Sequence, residues 1–335
     1  MREITLMLII CFIASFSVNA QSNSADNNAS QNQSADAAEI KRLNDELKKQ
    51  YGAGKYDEAL KLAEQELALC IKLYGAEGKE VAISYANIGS IYRAKYQPKE
   101  AIKALEQSLS ILEKNNLGES AQAAFNMSDI GLSYSLSDDK IAAEEWLIKA
   151  IETAEKADGK YSNTMYACLV YAARFYRGSI QFEKANDVFL RTIDVANNLY
   201  GRKSDTVFSL WFEYECFLSE AKLIVNKEKI DELKGKEITA QDTNIIRGDV
   251  LNGKATKLPA PSYPAIARSI KASGTVSVRV LVNEEGKVIR ACALSGHPLL
   301  RSACVTAALN AKFTPTLVNG KPVKVSGTIN YNFFQ

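Results

Sequence analysis

Small and apolar side chains recur every 42 residues through the middle of the chain. Between the recurring positions, each copy has the pattern of two amphipathic helices joined by a short turn. A repeat of this length predicts an all-α solenoid, in which each copy buries its apolar stripe only against its neighbours. The recurring residues are Ala59, Ala101, Ala143 and Ala185; Leu67, Leu109, Ile151 and Ile193; and Tyr92, Tyr134 and Tyr176.

The predicted solenoid spans residues 38–222. The last helix of the series has no following partner, so we expect it to cap the array. The first helices of the pairs are predicted at residues 38–51, 80–95, 121–136, 163–178 and 205–222, and the second helices at residues 56–73, 98–114, 140–156 and 182–199.

The repeat resembles tetratricopeptide repeats of the 42-residue kind found in kinesin light chains. A small residue stands at Gly89, Gly131 and Ala173, each followed three residues later by tyrosine, and Leu73-Tyr74-Gly75 recurs as Leu199-Tyr200-Gly201. The resemblance implies a scaffold that holds a protein partner. Positions that recur but vary in chemistry are candidates for an exposed concave face that binds the partner, although a merely solvated helix face would show the same variation. These candidates are Asn87, Asp129 and Tyr171, and also Arg93, Ser135 and Arg177, six residues further on.

A period of two replaces the helical period near the C-terminus. Residues 275–282 alternate valine with polar side chains, residues 287–294 follow after a four-residue turn, and the two stretches predict a hairpin. A helix with an apolar stripe is predicted after Pro298. Residues 323–333 alternate again, which predicts a long terminal strand with its odd positions towards the helices and its even positions towards solvent.

This region contains a series of short motifs in a fixed order: Tyr263-Pro264 with Ala267, Gly274 to Val278, Gly286 to Val288, Ser295 to Leu300, Ala307-Ala308, Lys312 to Pro315 and Gly320 to Gly327. In these motifs it resembles the TonB C-terminal domain family, from about residue 248 to residue 335. The resemblance implies a small α+β domain at 256–335, with two helices on an antiparallel three-stranded sheet. It also implies a periplasmic location and capture of extended segments from outer-membrane partners by strand addition, and it implies no enzyme.

The terminal strand is the candidate docking site. In a sheet that begins with a hairpin, we expect this strand to pair on one side and to leave its other edge open to a partner segment. The alternatives are an edge closed by a neighbouring strand, by the linker or by a second copy. The candidate partner-binding residues of this domain are Tyr263, Pro264, Lys324, Thr328, Asn330 and Tyr331.

The segments outside the two domains differ in composition. Residues 1–20 carry Arg2, an apolar run and small residues suited to cleavage at Val18-Asn19-Ala20, which predicts a cleaved export signal. The alternative is an uncleaved membrane anchor, but the apolar run is shorter than the roughly 20 residues that span a bilayer. Residues 21–37 are rich in Asn, Ser, Gln and Ala and are predicted to be a disordered tether. Residues 223–255 are predicted to be a linker, although the stretch from Gly248 to Lys254 is also consistent with an extra strand of the C-terminal domain.

Charge is unevenly distributed along a chain of net charge +2. From Thr256 onward there are ten Lys or Arg and two Glu, which gives +8, so the rest of the chain is acidic. This asymmetry suits acidic peptides, anionic envelope polymers or docking of one module on the other. Export and the absence of interleaved aromatic residues argue against nucleic acid as a partner.

Five cysteines follow the export signal, and export places them in an oxidising compartment. Cys292 on a strand and Cys304 on the next helix are candidates for a disulfide, with two buried thiols as the alternative. The chain has no C-x-x-C motif, and His297 is its only histidine, predicted to cap a helix. The sequence therefore predicts no catalytic residue, no metal site and no cofactor.

These features together predict a non-catalytic periplasmic adaptor whose partners are proteins or peptides of the bacterial envelope. The alternative is a TonB-type energy transducer for outer-membrane transport. The sequence offers little for that alternative: no apolar run remains that would span the membrane after signal cleavage, and only Pro98 precedes Pro259.

Overall fold

The computed structural model describes residues 27–202, 204–221, 245–251 and 254–334. The predicted export signal, part of the tether and most of the linker lie outside these residues. The chain divides after Val195 into two compact units. Among the described residues, no helix is long and apolar enough to cross a membrane.

Nine helices in the described residues form the tetratricopeptide-like solenoid, and their ends fall within a few residues of the predicted ends at all but the first. The pairing of neighbouring amphipathic faces explains this agreement, because each helix needs only its local stripe and an adjacent stripe to bury it. The helices are α1 (Asn27–Gly52), α2 (Tyr56–Tyr74), α3 (Lys79–Ala94), α4 (Pro98–Lys114), α5 (Ala121–Leu136), α6 (Lys140–Asp158), α7 (Asn163–Gly178), α8 (Phe182–Tyr200) and α9 (Asp205–Ala221).

The first helix begins earlier than predicted. We expected a disordered tether to continue to residue 37, but α1 already begins at Asn27. Asp36 lies on this helix, and its carboxylate accepts a hydrogen bond from Lys72 Nζ at 2.7 Å. That contact ties the N-terminal turns of α1 to the second helix, so the segment is part of the solenoid.

The chain reverses at equivalent places in successive repeats. Gly54, Tyr96, Asp138 and Ile180 stand 42 residues apart, and all four have a φ between 58° and 76°. Only Gly adopts this left-handed conformation without steric cost. The repeat therefore preserves this left-handed backbone conformation even at Tyr96, Asp138 and Ile180, whose side chains disfavour it.

The second unit contains α9 and the remaining strands and helices. The strands are β1 (Ile245–Val250), β2 (Ala255–Lys257), β3 (Gly274–Val282), β4 (Val288–Ala293), β5 (Lys312–Phe313), β6 (Thr316–Val318) and β7 (Lys321–Phe333), and the two further helices are α10 (Ala265–Ser269) and α11 (Pro298–Leu309).

The sheet of this unit has the order β1-β7-β3-β4, and β6 also pairs with β7. The α+β class and the β3–β4 hairpin are confirmed, but the predicted three-stranded sheet is too small. β1 adds to it in parallel, from within the segment predicted as linker, and β6 adds to the start of β7. β2 and β5 form a separate two-stranded sheet.

One face of the main sheet packs against α10 and α11. Val276, Val278 and Val280 of β3 are fully buried and contact a core that includes Leu300 and Cys304 of α11. The predicted cap is also present, because His297 Nδ1 accepts a hydrogen bond from the Leu299 backbone N–H at 3.3 Å. The alternation of β3 and the apolar stripe of α11 were sufficient to predict this core.

Close helix packing in the solenoid predicts opposite effects for the same substitution at two helical glycines. A Cβ at Gly131 of α5 would lie 2.9 Å from Leu147 Cγ and 3.0 Å from the Ala143 carbonyl oxygen, whereas a Cβ at Gly178 meets no atom within 4 Å. We expect Gly131→Ala to destabilise the protein by about 1–3 kcal/mol through overpacking. Gly178→Ala should be neutral or stabilising by up to about 1 kcal/mol, since Ala favours a helix. Urea unfolding measures both, and a Gly131→Ala variant as stable as the parent would contradict the packing.

Candidate functional site

The terminal strand β7 has neighbours along both of its edges. On one side β3 pairs with it antiparallel from Gly274↔Phe333 to Val282↔Val325. On the side opposite β3, β1 pairs with it in parallel from Ile245↔Lys324 to Val250↔Thr328, and β6 pairs with residues 321–323 at its beginning. The expectation that β7 pairs on one side only is therefore wrong, because a strand from the predicted linker closes the edge as far as Thr328.

The residue after β1 continues this contact. The Leu251 backbone N–H donates a hydrogen bond to the Thr328 carbonyl oxygen at 2.8 Å, and its side chain is 4% exposed. It lies against Gly327, where a Cβ would come within 2.6 Å of Leu251 Cγ. Gly327, in the middle of a long strand, thus leaves space for Leu251 of the β1 segment, which we define as residues 245–251.

Helix α9 covers the second face of the sheet. Phe208 and Phe212 of α9 cluster with Cys216, and Leu281 of β3 and Cys292 of β4 complete the cluster. We expected the even positions of β7 to face solvent. The structure instead buries Ser326 to 1% exposure, at a position of β7 that pairs with Arg247 of β1 on one side and with Leu281 of β3 on the other.

A disulfide joins α9 to β4. Cys216 bonds to Cys292, and Cys304 is a buried free thiol, so the expected pairing of Cys292 with Cys304 is wrong. The reason is a register shift in the hairpin, where Leu281 pairs with Arg290 but Val282 pairs with Val288. A one-residue shift moves a side chain to the other face of the sheet, away from α11 and towards α9.

Three ion pairs accompany the disulfide. Each joins a carboxylate of α9 to a cation of the sheet, and the side chains of the three cations are only 21–22% exposed. Acidic side chains of α9 thus partly neutralise the basic character of the C-terminal domain. The pairs are Arg279 with Glu215 at 2.8 Å, Arg290 with Glu213 at 3.3 Å, and Lys324 with Asp205.

The remaining candidates of this unit lie around the end of β7. The Tyr263 hydroxyl donates to the Ala272 carbonyl oxygen at 2.6 Å, and its ring contacts Phe333 edge to face. Pro264 precedes the first residue of α10. Tyr331 is buried in the core, where desolvation raises the pKa of its hydroxyl to about 12, so its side chain is not presented to a partner at the edge.

Thr328 and Asn330 are half-buried positions of β7. Thr328 pairs with Val250 of β1 on one side and with Arg279 of β3 on the other. It therefore lies at the contact of three strands. Asn330 pairs with Ser277 of β3, beyond the last pair that β1 makes with β7.

The solenoid candidates Asn87, Asp129 and Tyr171 are buried, with exposures of 7%, 2% and 6%. Asp129 accepts a hydrogen bond from Ser90 Oγ at 2.6 Å and lies 3.1 Å from Arg93 Nε, so it joins α3 to α5. The exposed face expected for these three positions is not found. Helices packed through small residues approach closely enough to enclose them.

Asn87 borders a second buried polar group, the carboxylate of Glu66. The Glu66 side chain is fully buried, and its Oε1 accepts a hydrogen bond from Asn44 Nδ2 at 3.1 Å. Among the described residues, its Oε2 has no hydrogen-bond partner. Desolvation raises the pKa of Glu66 to about 7, although Asn44, Lys48 and Asn87 oppose the shift. The site therefore favours a protonated carboxyl.

Sequence reasoning missed the residues that organise this unit, which are Cys216, the α9 carboxylates, Leu251 and Gly327. The odd cysteine count and the acidic residues of α9 opposite a basic domain were the available signals. The alternative of an extra strand near Gly248 was the signal for β1, and it is the one that the structure supports.

Two family models match parts of the chain. Residues 259–334 match the family model of the Gram-negative bacterial TonB protein C-terminal. The second unit therefore carries a TonB-like domain. Residues 50–114 match a tetratricopeptide repeat model, and no curated protein matches the chain.

Solved structures similar to this chain are tetratricopeptide proteins of the kinesin-light-chain kind. A Podosopora anserina protein with nearly identical kinesin-light-chain TPR-like repeats is 18% identical, with 63% of this chain and 98% of that chain covered and a TM-score of 0.47. BtubC (BKLC) from P. vanneervenii is 15% identical, with 72% and 97% covered and a TM-score of 0.48. The tetratricopeptide and TonB C-terminal families consist of non-catalytic interaction domains, and the TonB family is one of Gram-negative envelope proteins.

The buried Glu66 predicts a stability that falls as the pH rises. Its folded pKa of about 7 exceeds the ordinary value of 4.5, so the folded state binds the proton more tightly than the unfolded state. This contribution is fully present below pH 4.5 and is lost as the pH rises through 7. Glu66→Gln mimics the protonated form. We expect it to match the parent near pH 4.5 and to be more stable by about 3 kcal/mol at pH 8.

Urea unfolding followed by helical circular dichroism across this pH range measures the difference. Glu64→Gln, at an exposed position of the same helix, controls for the loss of one negative charge. An equal gain from both variants, or no dependence of the Glu66→Gln gain on pH, would show that burial of this carboxylate is not the cause.

Proposed function

We propose that this chain is a non-catalytic adaptor of the bacterial cell envelope, exported to the periplasm. Its TonB-like domain captures an extended partner segment by strand addition, and its tetratricopeptide solenoid holds a second protein. The single observation that carries the first role is the parallel pairing of β1 with β7. A separate segment of chain already adds to this edge, so the edge has the geometry for strand addition.

Two further observations support the proposal. The Cys216–Cys292 disulfide suits an oxidising compartment such as the periplasm. The described thiols outside it, Cys70, Cys168 and Cys304, are buried, and desolvation raises the pKa of each to about 11. Thiols of this kind are poor nucleophiles at neutral pH, which suits a binding role rather than thiol catalysis.

The solenoid partner would contact positions other than those first considered. Asn87, Asp129 and Tyr171 are buried and Arg93 is paired with Asp129, whereas on α7 Arg174 is exposed and Arg177 is half-buried. The two arginines of α7 lie on the first helix of a repeat, the kind of helix on which we expected the partner-binding face. A partner with acidic groups would suit them.

Site-specific photocrosslinking in living cells tests the adaptor. The exported full-length chain carries a photoreactive residue at Asn332, exposed on β7, or at Arg174 on α7, and Glu285 in the β3–β4 turn serves as a surface control. We expect Asn332 and Arg174 each to yield a distinct envelope protein that Glu285 does not. Crosslinks at Asn332 no different from those at Glu285 would contradict strand capture by the TonB-like domain.

The same experiment addresses the alternative of an energy transducer for outer-membrane transport. That function requires an outer-membrane transporter at Asn332 together with inner-membrane motor subunits in the bound fraction. Transporter crosslinks without motor subunits favour the adaptor.

A further inference from the structure

The two edges of β7 are held with very different strength. β3 pairs with β7 through nine consecutive antiparallel positions, from Gly274 to Val282. β1 makes four register pairs, and the register shifts between Arg247 and Val250. Parallel pairs are slightly less stable per residue than antiparallel ones, and an interrupted ladder loses further hydrogen bonds. The β1 edge is therefore the weaker of the two.

Leu251 anchors the C-terminal end of the segment 245–251. Leu251 is buried on Gly327, and its backbone N–H bonds to the Thr328 carbonyl oxygen at 2.8 Å. The Gly327 position has no Cβ, so it forms a seat for an apolar side chain directly beside the edge. This seat accepts a residue that follows an extended segment running parallel to β7.

We propose that β1 and Leu251 act as an intramolecular competitor, occupying the β7 edge so that a partner segment adds only after β1 leaves. The inference rests on the proposed strand capture and specifies the segment that is captured. The partner strand runs parallel to β7 and carries an apolar residue in the place of Leu251. The β3 edge, the α9 face and the disulfide stay in place during the exchange.

The competitor lowers the apparent affinity for any partner. A strand tethered within the same chain has an effective local concentration in the millimolar range. A partner in trans binds only the fraction of molecules whose edge is vacant, so its apparent dissociation constant rises by the inverse of that fraction. Weakening β1 should therefore tighten partner binding by at least about tenfold, without any new contact.

A synthetic peptide with the sequence of residues 245–251 is the probe, because it has the chemistry of the native occupant. Its binding is measured by fluorescence anisotropy to the full chain and to Leu251→Asn, which replaces the apolar Leu251 side chain and leaves the sequence of β1 unchanged. Leu258→Asn is the matched control: Leu258 also packs against the domain core but lies outside the β1 segment. Gly327→Val, added to Leu251→Asn, fills the seat.

We expect saturable binding to Leu251→Asn at least about tenfold tighter than to the parent or to Leu258→Asn, and loss of binding when Gly327→Val is added. Equal affinity of the peptide for the parent and for Leu251→Asn would contradict the proposal that β1 and Leu251 compete with a partner segment for the β7 edge. Absence of binding to folded Leu251→Asn, or binding that survives Gly327→Val, would contradict the claim that the space beside Gly327 binds an apolar residue of the added strand. A concentration-dependent dimer of the parent that exchanges β1 between copies would overturn the intramolecular arrangement.

Amide hydrogen exchange of the parent keeps the inference testable if Leu251→Asn does not fold. The Leu251 amide should exchange by local opening, faster than the amides of Val278 and Val280 in the β3–β7 ladder. Equal protection would show that β1 does not leave. Peptide binding without any cellular crosslink at Asn332 would leave this inference standing and refute the proposed function, so the two failures are distinguishable.

Discussion

The contact of α9 with the second face of the sheet is the interaction on which the C-terminal unit depends. A disulfide from Cys216 to Cys292, an apolar cluster around Phe212 and Leu281, and three ion pairs all act across it. The bridge closes a loop with a sequence separation of 76 residues, which contributes about 4 kcal/mol in the chain-entropy account. Without α9, the sheet would expose Leu281 to solvent.

This contact determines what the TonB-like domain has left to offer a partner. α10 and α11 cover one face of the sheet, α9 covers the other, and β3 holds one edge of β7 from Val325 to Phe333. The edge held by β1 is the part of β7 where a short, interrupted parallel ladder can exchange. A recognition surface that is occupied by its own chain gives specificity at the cost of affinity, because only a segment that reproduces the parallel strand and its apolar anchor displaces β1.

The sequence predicted the elements that depend on neighbours close in the chain. The 42-residue recurrence located nine helices, and the alternation of β3 and β7 located the core face of the sheet. It did not predict which distant segments meet. The partner of Cys292 was not predicted because a one-residue register shift in β4 moves the Cys292 side chain to the opposite face of the sheet. The local sequence pattern does not indicate that shift.

Burial of the solenoid candidates has a similar origin. Asn87, Asp129 and Tyr171 vary in chemistry as an exposed face would, but polar residues that pair with each other also vary without being exposed. Asp129 pairs with Arg93 and Ser90, and Asn87 borders Glu66. The distance between neighbouring helices decides whether a polar residue lines a groove or joins two helices. The repeat pattern does not predict that distance.

Mass mapping of the unreduced, exported protein tests the docking of α9 on the sheet most directly. After proteolysis with free thiols blocked, the account predicts one linked pair of fragments, containing Cys216 and Cys292, with Cys304 recovered as a blocked free thiol. A linked pair containing Cys292 and Cys304, or a free thiol at Cys216, would contradict it.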